Sequence, residues 1–207
     1  MESLLIGIVG ALVSAVCGGY VGHKLTIKLF NERSKLQKRA FWEEFTLIKK
    51  RYSACVPKLI NDYKNPTKDK YSGVPECDMS IIDSLSTELC ASMELLNSDQ
   101  RELVMNLKAL FPRVKYLDLK RNEQFQKLIS RDNKSEVYNP MQFYTAQLLL
   151  NVIQVIFYTC KIAEEKQSFT FGEYTVQEHA EVACRICGIE YVKKFWLSVE
   201  ERLAPAT

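Results

Sequence analysis

The feature that most constrains this chain is an uncharged apolar stretch near its start, residues Leu4 to Val21. As an α-helix these residues would extend about 27 Å, close to the roughly 30 Å of hydrocarbon in a bilayer. The first charged residue after the stretch is Lys24, whose long side chain can reach the interface from the end of the helix. The sequence therefore predicts a single transmembrane helix over residues 1–25.

A cleaved signal peptide and a buried helix of a soluble protein are two other interpretations of this stretch, and the residues that flank it distinguish them from a membrane span. A cleaved signal peptide normally begins with basic residues, whereas Met1-Glu2-Ser3 carries one acid and no base. A buried helix of a soluble protein is the other alternative, but a run of this length followed at once by basic residues is more typical of a membrane span. We therefore expect the stretch to span the membrane.

Small residues recur at every fourth position of the predicted membrane helix, in two adjacent rows. Lipid provides no hydrophobic drive for helices to associate, so contact depends on small side chains that let two backbones approach. Small residues are also common in membrane helices generally, which is the alternative interpretation. We expect self-association into a homo-oligomer through Gly7, Ala11, Ala15 and Gly19 in one row and Gly10, Ser14, Gly18 and Gly22 in the other.

Charge predicts the orientation of the chain in the membrane. Residues 22–51 hold nine Lys and Arg against three acids, while residues 1–21 hold a single acid. By the positive-inside rule the N-terminus lies outside and the remaining chain lies in the cytoplasm, at an inner or plasma membrane. The rest of the chain is slightly acidic, so nucleic acid is not an expected partner. The lipid bilayer is an expected partner, and its surface is expected to contact Lys24, Lys28, Arg33, Lys35, Lys38 and Arg39.

The remaining sequence predicts an all-α fold, a cytosolic bundle of about five or six helices. Residues 26–60 form a basic juxtamembrane stalk helix that docks on the body, residues 61–80 form a loop, and residues 81–207 form the helical domain. The docking seam has helical steps of 4, 3, 4, 3 and 4 residues, and it consists of Phe41, Phe45, Ile48, Tyr52, Cys55 and Leu59. Seven cysteines without a disulfide framework fit reduced thiols in the cytosol.

Several sequence signals place the helix ends of the body. Asn97 with Gln100, and Thr175 with Glu178, have the form of capping boxes that start helices. Pro112 is expected to kink a helix or start a new one, and Asn139-Pro140 to start the next helix, which covers residues 141–163. The last helix is expected to run through Gly188 to about residue 203, with the glycine as a packing point or a weak joint.

The helix over residues 141–163 is apolar enough to raise the alternative of a second membrane span. Gln147, Asn151 and Gln154 form a polar stripe along its middle, and three central amides are costly in hydrocarbon. The same stripe suits the central helix of a bundle, which is the interpretation we favour.

No catalytic or metal-binding motif is found in the sequence. His179, Cys184 and Cys187 lie close together, but one helix would separate His179 from Cys187 by about 12 Å along its axis, too far for both to bind one ion. Apolar packing of the two cysteines is the expected role. We therefore expect no cofactor, no metal and no enzyme activity.

The predicted architecture leaves three hypotheses for function. The first is a membrane-perturbing effector, of the toxin or anti-phage defence type by analogy of architecture, in which the body binds a cytosolic protein partner and the small-residue helices associate. The second is a membrane-anchored scaffold or receptor subunit without activity of its own. The third is a tethered enzyme whose site follows no known motif.

Overall fold

The computed structural model of the chain describes residues 2–66, 71–92, 95–130 and 135–203, with side chains in these ranges from residue 14 onward apart from 135–138. These residues form helices and connections with no strand, which confirms the all-α fold. The α-helices are α1 (Glu2–Ser53), α2 (Val56–Lys64), α3 (Ser80–Cys90), α4 (Ser98–Ser130), α5 (Ser135–Glu165), α6 (Val176–Cys187) and α7 (Lys193–Glu201), with a 3-10 turn at Lys166–Ser168 after α5.

Helix α5 is the centre of the bundle. It packs against α1, α2, α4, α6 and α7, and its apolar side chains from residue 146 to 162 are almost all buried. Polar groups on this helix find partners in the helix itself, since Asn151 Nδ2 donates to the Gln147 carbonyl at 2.6 Å and Thr159 Oγ1 to the Val155 carbonyl at 2.7 Å. Such internal satisfaction is what burial of a polar side chain requires.

In the described part of the chain, Asn139–Ser168 is the only helix with the length and composition to cross a membrane. Within the structure, 72% of its apolar stretch is buried against the other helices. A buried core helix has the same length and composition as a span, and the burial favours the core interpretation of α5 over a second span.

Helix α1 has two parts with different surroundings. Its second half packs on α3 and α5 and buries the predicted seam, with Phe41 and Phe45 in edge-to-face contact at 5.0 Å between ring centroids. The seam continues through Cys55, which precedes α2, to Leu59 in α2, and both side chains are buried. The helix ends at Ser53, and Pro57 occupies the first turn of α2, a position that tolerates its missing N–H.

The two predicted capping boxes are confirmed. Asn97 N donates to Gln100 Oε1 at 2.9 Å and Gln100 N to Asn97 Oδ1 at 2.8 Å. At the start of α6, Thr175 and Glu178 make the reciprocal pair of bonds. Each box holds one helix start in place by satisfying backbone N–H groups that the helix itself leaves free.

Proline and glycine positions were the least reliable guides to helix ends. Helix α4 continues through Pro112, and α5 begins at Ser135, so Pro140 lies inside it. At Pro112, burial of Phe111 before it and Val114 after it outweighs the lost hydrogen bond. The expected single last helix is two helices, because Gly188 adopts a left-handed backbone (φ 65°) that ends α6.

Candidate functional site

Residues 14–30 of α1 project from the body without a packing partner among the described residues. Every described residue from 14 to 30 is exposed, and the first buried residue is Ser34, whose Oγ donates to the Phe30 carbonyl at 3.0 Å. The exposed side chains include large apolar ones such as Val16, which is 69% exposed, and Val21, which is 63% exposed. An isolated helix with such a surface gains little stability in water, so this segment needs another environment.

The small-residue rows lie on this projecting segment. An added Cβ at Gly18, Gly19 or Gly22 would meet no atom within 4 Å. Ser14 and Ala15 are likewise exposed. The side chains at Gly7, Gly10 and Ala11 lie outside the described residues. No contact within the described chain therefore explains why small residues occupy these positions, and the surface is open to a second helix.

Most of the predicted membrane-surface residues are exposed along α1. Lys24 Nζ lies 4.7 Å from the centroid of the Tyr20 ring, a cation–π contact at the predicted end of the membrane segment. Arg33 and Arg39 form ion pairs with Glu88 (3.5 Å) and Glu43 (2.9 Å). Lys28 and Lys35 are exposed. Lys38 differs from the expectation because it is only 7% exposed, where α1 begins to pack on the body.

The helix also fixes the body relative to the projecting segment. Because α1 is continuous from Glu2 to Ser53, Val21 and Ser34 are separated by about 20 Å of helix and by no flexible linker. The body and the predicted membrane segment are thus joined by uninterrupted helix.

A cavity of about 470 Å³ lies in the body between α4 and the residues that precede α3. Its apolar walls include Tyr52, Met79 and Phe111, and Lys108 and Lys115 contribute polar groups. Pro112 also lines the cavity, and because it has no N–H it leaves the Lys108 carbonyl without its usual helical partner. This size and mixture of surfaces suits a small ligand or the inserted side chains of a partner.

The segment that covers this cavity, residues 71–79, is fixed to α4 by a buried arginine. Arg121 is fully buried, with Nη1 at 3.3 Å from Asp62 Oδ2 and Nη2 at 3.1 Å from Asp118 Oδ1. It also donates to the Ser72 carbonyl, and its guanidinium lies 4.6 Å from the Tyr71 ring centroid. The covering segment therefore depends on a charge cluster, not on helical structure of its own.

Tyr71 completes this cluster. Its hydroxyl donates to Asp118 Oδ1 at 2.6 Å, and burial raises the pKa of the phenol so that it stays a donor. The covering segment approaches α4 closely at Gly73, where an added Cβ would lie 3.2 Å from Asp118 Oδ2 and would require that carboxylate to shift by a few tenths of an ångström. Sequence reasoning missed this cluster, and the only local signal was the spacing of Asp118 and Arg121 by three residues on one helix.

The titratable groups around the cavity are engaged or neutral. Lys115 Nζ lies 2.7 Å from Glu76 Oε1, and Lys108 Nζ lies 3.0 Å from Asp83 Oδ2. Burial raises the pKa of the Cys77 thiol to about 11, which keeps it protonated and weakly nucleophilic at neutral pH. The cavity therefore has the character of a binding site and not of a nucleophilic one.

His179, Cys184 and Cys187 make separate packing contacts. His179 lies among Phe157, Tyr158 and Tyr174, with ring centroids 4.6 to 6.5 Å away, and burial lowers its pKa to about 4. Cys184 is buried in the core, and Cys187 Sγ donates to the Ser53 carbonyl at 3.3 Å. Within the described part of the chain, no three His, Cys, Asp or Glu residues are grouped to hold a metal ion.

Comparison with protein-family models found no match, and comparisons with curated proteins and with solved structures also found none.

Proposed function

We propose that the protein is a single-pass membrane protein whose N-terminal helix self-associates in the bilayer and whose helical body binds a cytosolic partner, with perturbation of the membrane as its output. The observation that carries this proposal is the projecting part of α1, where residues 14–30 are all exposed and include large apolar side chains. A bilayer would cover these side chains, and a second helix would cover the small-residue rows.

The body supplies the second half of the proposal. The cavity under the covering segment is large enough for a small ligand or partner side chains, and its walls are continuous with the base of α1 through Tyr52. Occupation of the cavity would act on the same helix that enters the membrane. Because α1 has no linker, binding in the body could then change how the membrane helices associate.

A membrane-anchored scaffold or receptor subunit is the second candidate function. It is favoured by the same anchor together with a densely packed core around α5. The tethered enzyme is less well supported, because Cys77 is held neutral and the lysines of the cavity pair with carboxylates. The effector and the scaffold differ in one measurable property, which is the permeability of the membrane that contains them.

The test is the membrane potential and growth of cells that express the full chain, followed with a voltage-sensitive dye. We expect depolarisation and slowed growth with the full chain, and neither with a chain that lacks residues 1–25. Normal potential in cells whose membranes contain the full chain would favour the scaffold. Equal toxicity of the shortened chain would show that the membrane helix is not the effector element.

A further inference from the structure

A second concave surface, distinct from the cavity under the covering segment, lies where α1 joins the body. This basic cleft has a volume of about 580 Å³ and lies between α1 and the end of α5. Lys35 and Arg39 line it from α1, and Lys166 lines it from the opposite side. Lys38 also lines the cleft, and Glu43, its one lining acid, forms a 2.9 Å ion pair with Arg39.

The backbone of Lys166 indicates that its position in the cleft is specific. It has a φ of 51°, the one positive φ of a non-glycine residue in the described part of the chain. Its carbonyl accepts a 2.7 Å bond from Gln100 Nε2, and Gln100 is itself fully buried. A left-handed lysine is a strained residue, and strain of this kind concentrates at functional sites. Gln100, which belongs to the capping box of α4, thus fixes the backbone of Lys166. The side chain of Lys166 lines the wall of the cleft opposite α1.

We propose that the basic cleft binds a phosphate monoester. A monoester carries close to two negative charges at neutral pH and offers three acceptor oxygens, as a phosphorylated side chain does. Cations approaching from both walls match this charge, and the guanidinium of Arg39 can donate to two oxygens at once. Trp42, which lines the cleft next to Arg39, provides an apolar surface for the group that carries the phosphate.

The position of the cleft bears on the source of the phosphate, and this step rests on the proposed membrane placement. Lys35 lies ten residues beyond Leu25, or about 15 Å along α1. The polar layer of each leaflet is only about 5–8 Å thick. The cleft therefore lies on the aqueous side of the headgroups, beyond the phosphodiesters of ordinary lipids. Lys35, Lys38 and Arg39 are thus assigned to the cleft and not to the membrane surface that the sequence predicted for them. Two sources remain, which are a lipid headgroup that carries its monoester outward and a soluble phosphorylated compound.

The test uses the full chain in neutral detergent and isothermal titration with three probes. These are dioctanoyl phosphatidylinositol 4-phosphate, the same lipid without the monoester (dioctanoyl phosphatidylinositol), and the free headgroup inositol 1,4-bisphosphate. We expect the first probe to bind about tenfold or more tightly than the second, since it adds charge-assisted hydrogen bonds. Tighter binding of the phosphorylated lipid than of the free headgroup would assign a lipid source, and equal or tighter binding of the free headgroup would assign a soluble source.

Three variants test the site and separate loss of binding from loss of charge and loss of folding. Lys35→Gln/Arg39→Gln/Lys166→Gln should weaken binding at least about tenfold, whereas Lys50→Gln/Lys58→Gln/Lys127→Gln removes the same charge from exposed positions elsewhere and should bind as the wild type does. Lys166→Gly relieves the strained backbone and removes one cation of the cleft. The variant should therefore have a higher melting temperature than the wild type and a lower affinity for the phosphorylated lipid.

Three results would contradict the proposed phosphate site. They are equal affinity for the two lipids, no binding of either monoester probe, and an unchanged affinity in the Lys35→Gln/Arg39→Gln/Lys166→Gln variant. None of these results depends on insertion or self-association of α1. The experiment can therefore contradict the phosphate site without contradicting the proposed function.

Discussion

At the residue scale, Arg121 shows how a charge in the core supports the candidate ligand cavity. Its guanidinium satisfies Asp62 and Asp118 and fixes Tyr71 and the Ser72 carbonyl of the covering segment. Buried ions require such partners because desolvation penalises the charged form strongly. Apart from Asp118, three residues away on the same helix, the partners come from distant regions of the chain, so no local sequence pattern could reveal that they meet.

Replacing Arg121 with Met should destabilise the body by about 3–5 kcal/mol, because it leaves the buried Asp62 and the half-buried Asp118 without their cation. Urea denaturation of the purified protein would measure the change in the free energy of unfolding. Adding Asp62→Asn and Asp118→Asn to Arg121→Met should recover part of the loss, since no uncompensated charge then remains. An Arg121→Met protein as stable as the wild type would show that the cluster does not hold the covering segment.

His179 makes a prediction about pH. Burial lowers its folded-state pKa from 6.5 to about 4, so the unfolded chain binds the proton first as the pH falls. Stability from this group is complete above pH 6.5 and is lost progressively down to about pH 4. His179→Phe should remove this part of the acid destabilisation and flatten the free energy of unfolding across that window. The same slope in both proteins would mean that His179 is accessible to protons in the folded state.

At the scale of elements, sequence periodicity predicted α1 and α5 well because each has a long apolar pattern. The local proline rule was wrong at Pro140, where it predicted a helix start and α5 instead begins at Ser135. At Pro112 it left a kink or a new helix open, and the new helix is excluded because α4 continues. A helix at the start of the chain could be predicted from the uncharged apolar stretch Leu4 to Val21 alone. The cavity and the basic cleft could not, because their walls come from elements that meet only in the folded bundle.

Continuity of α1 is testable by breaking it between the membrane segment and the body. Glu32 is exposed, and Glu32→Pro should cost about 3 kcal/mol of helix stability at that point without touching the core. Glu32→Ala keeps the helix and serves as the matched control. We expect Glu32→Pro to insert in membranes and fold its body, yet to lose the depolarisation that we predict for the full chain. Full activity of Glu32→Pro would show that a rigid connection is unnecessary.

At the scale of the whole molecule, the basic residues after the membrane segment predict that the body is cytoplasmic. Cys90 is exposed and reports on this directly, whereas Cys184 is buried and would not react on either side. In a Cys17→Ser variant, an impermeant maleimide should label Cys90 only after the cells are permeabilised. A reporter fused after Thr207 should likewise be active in the cytoplasm. Labelling of Cys90 in intact cells would reverse the predicted orientation.

The most direct test of the central claim is the yield of crosslinked dimer in alkaline-washed membranes from cells that express the full chain. The Gly18→Leu/Gly22→Leu variant should stay in the washed membranes, since leucine is favourable in hydrocarbon. Its dimer yield should fall several-fold, because the larger side chains hold the two backbones apart. Conversion of Leu4, Leu5 and Leu12 to isoleucine should leave the yield unchanged. Release of the wild-type chain by the alkaline wash, or an undiminished yield in the double leucine variant, would contradict a self-associating membrane helix.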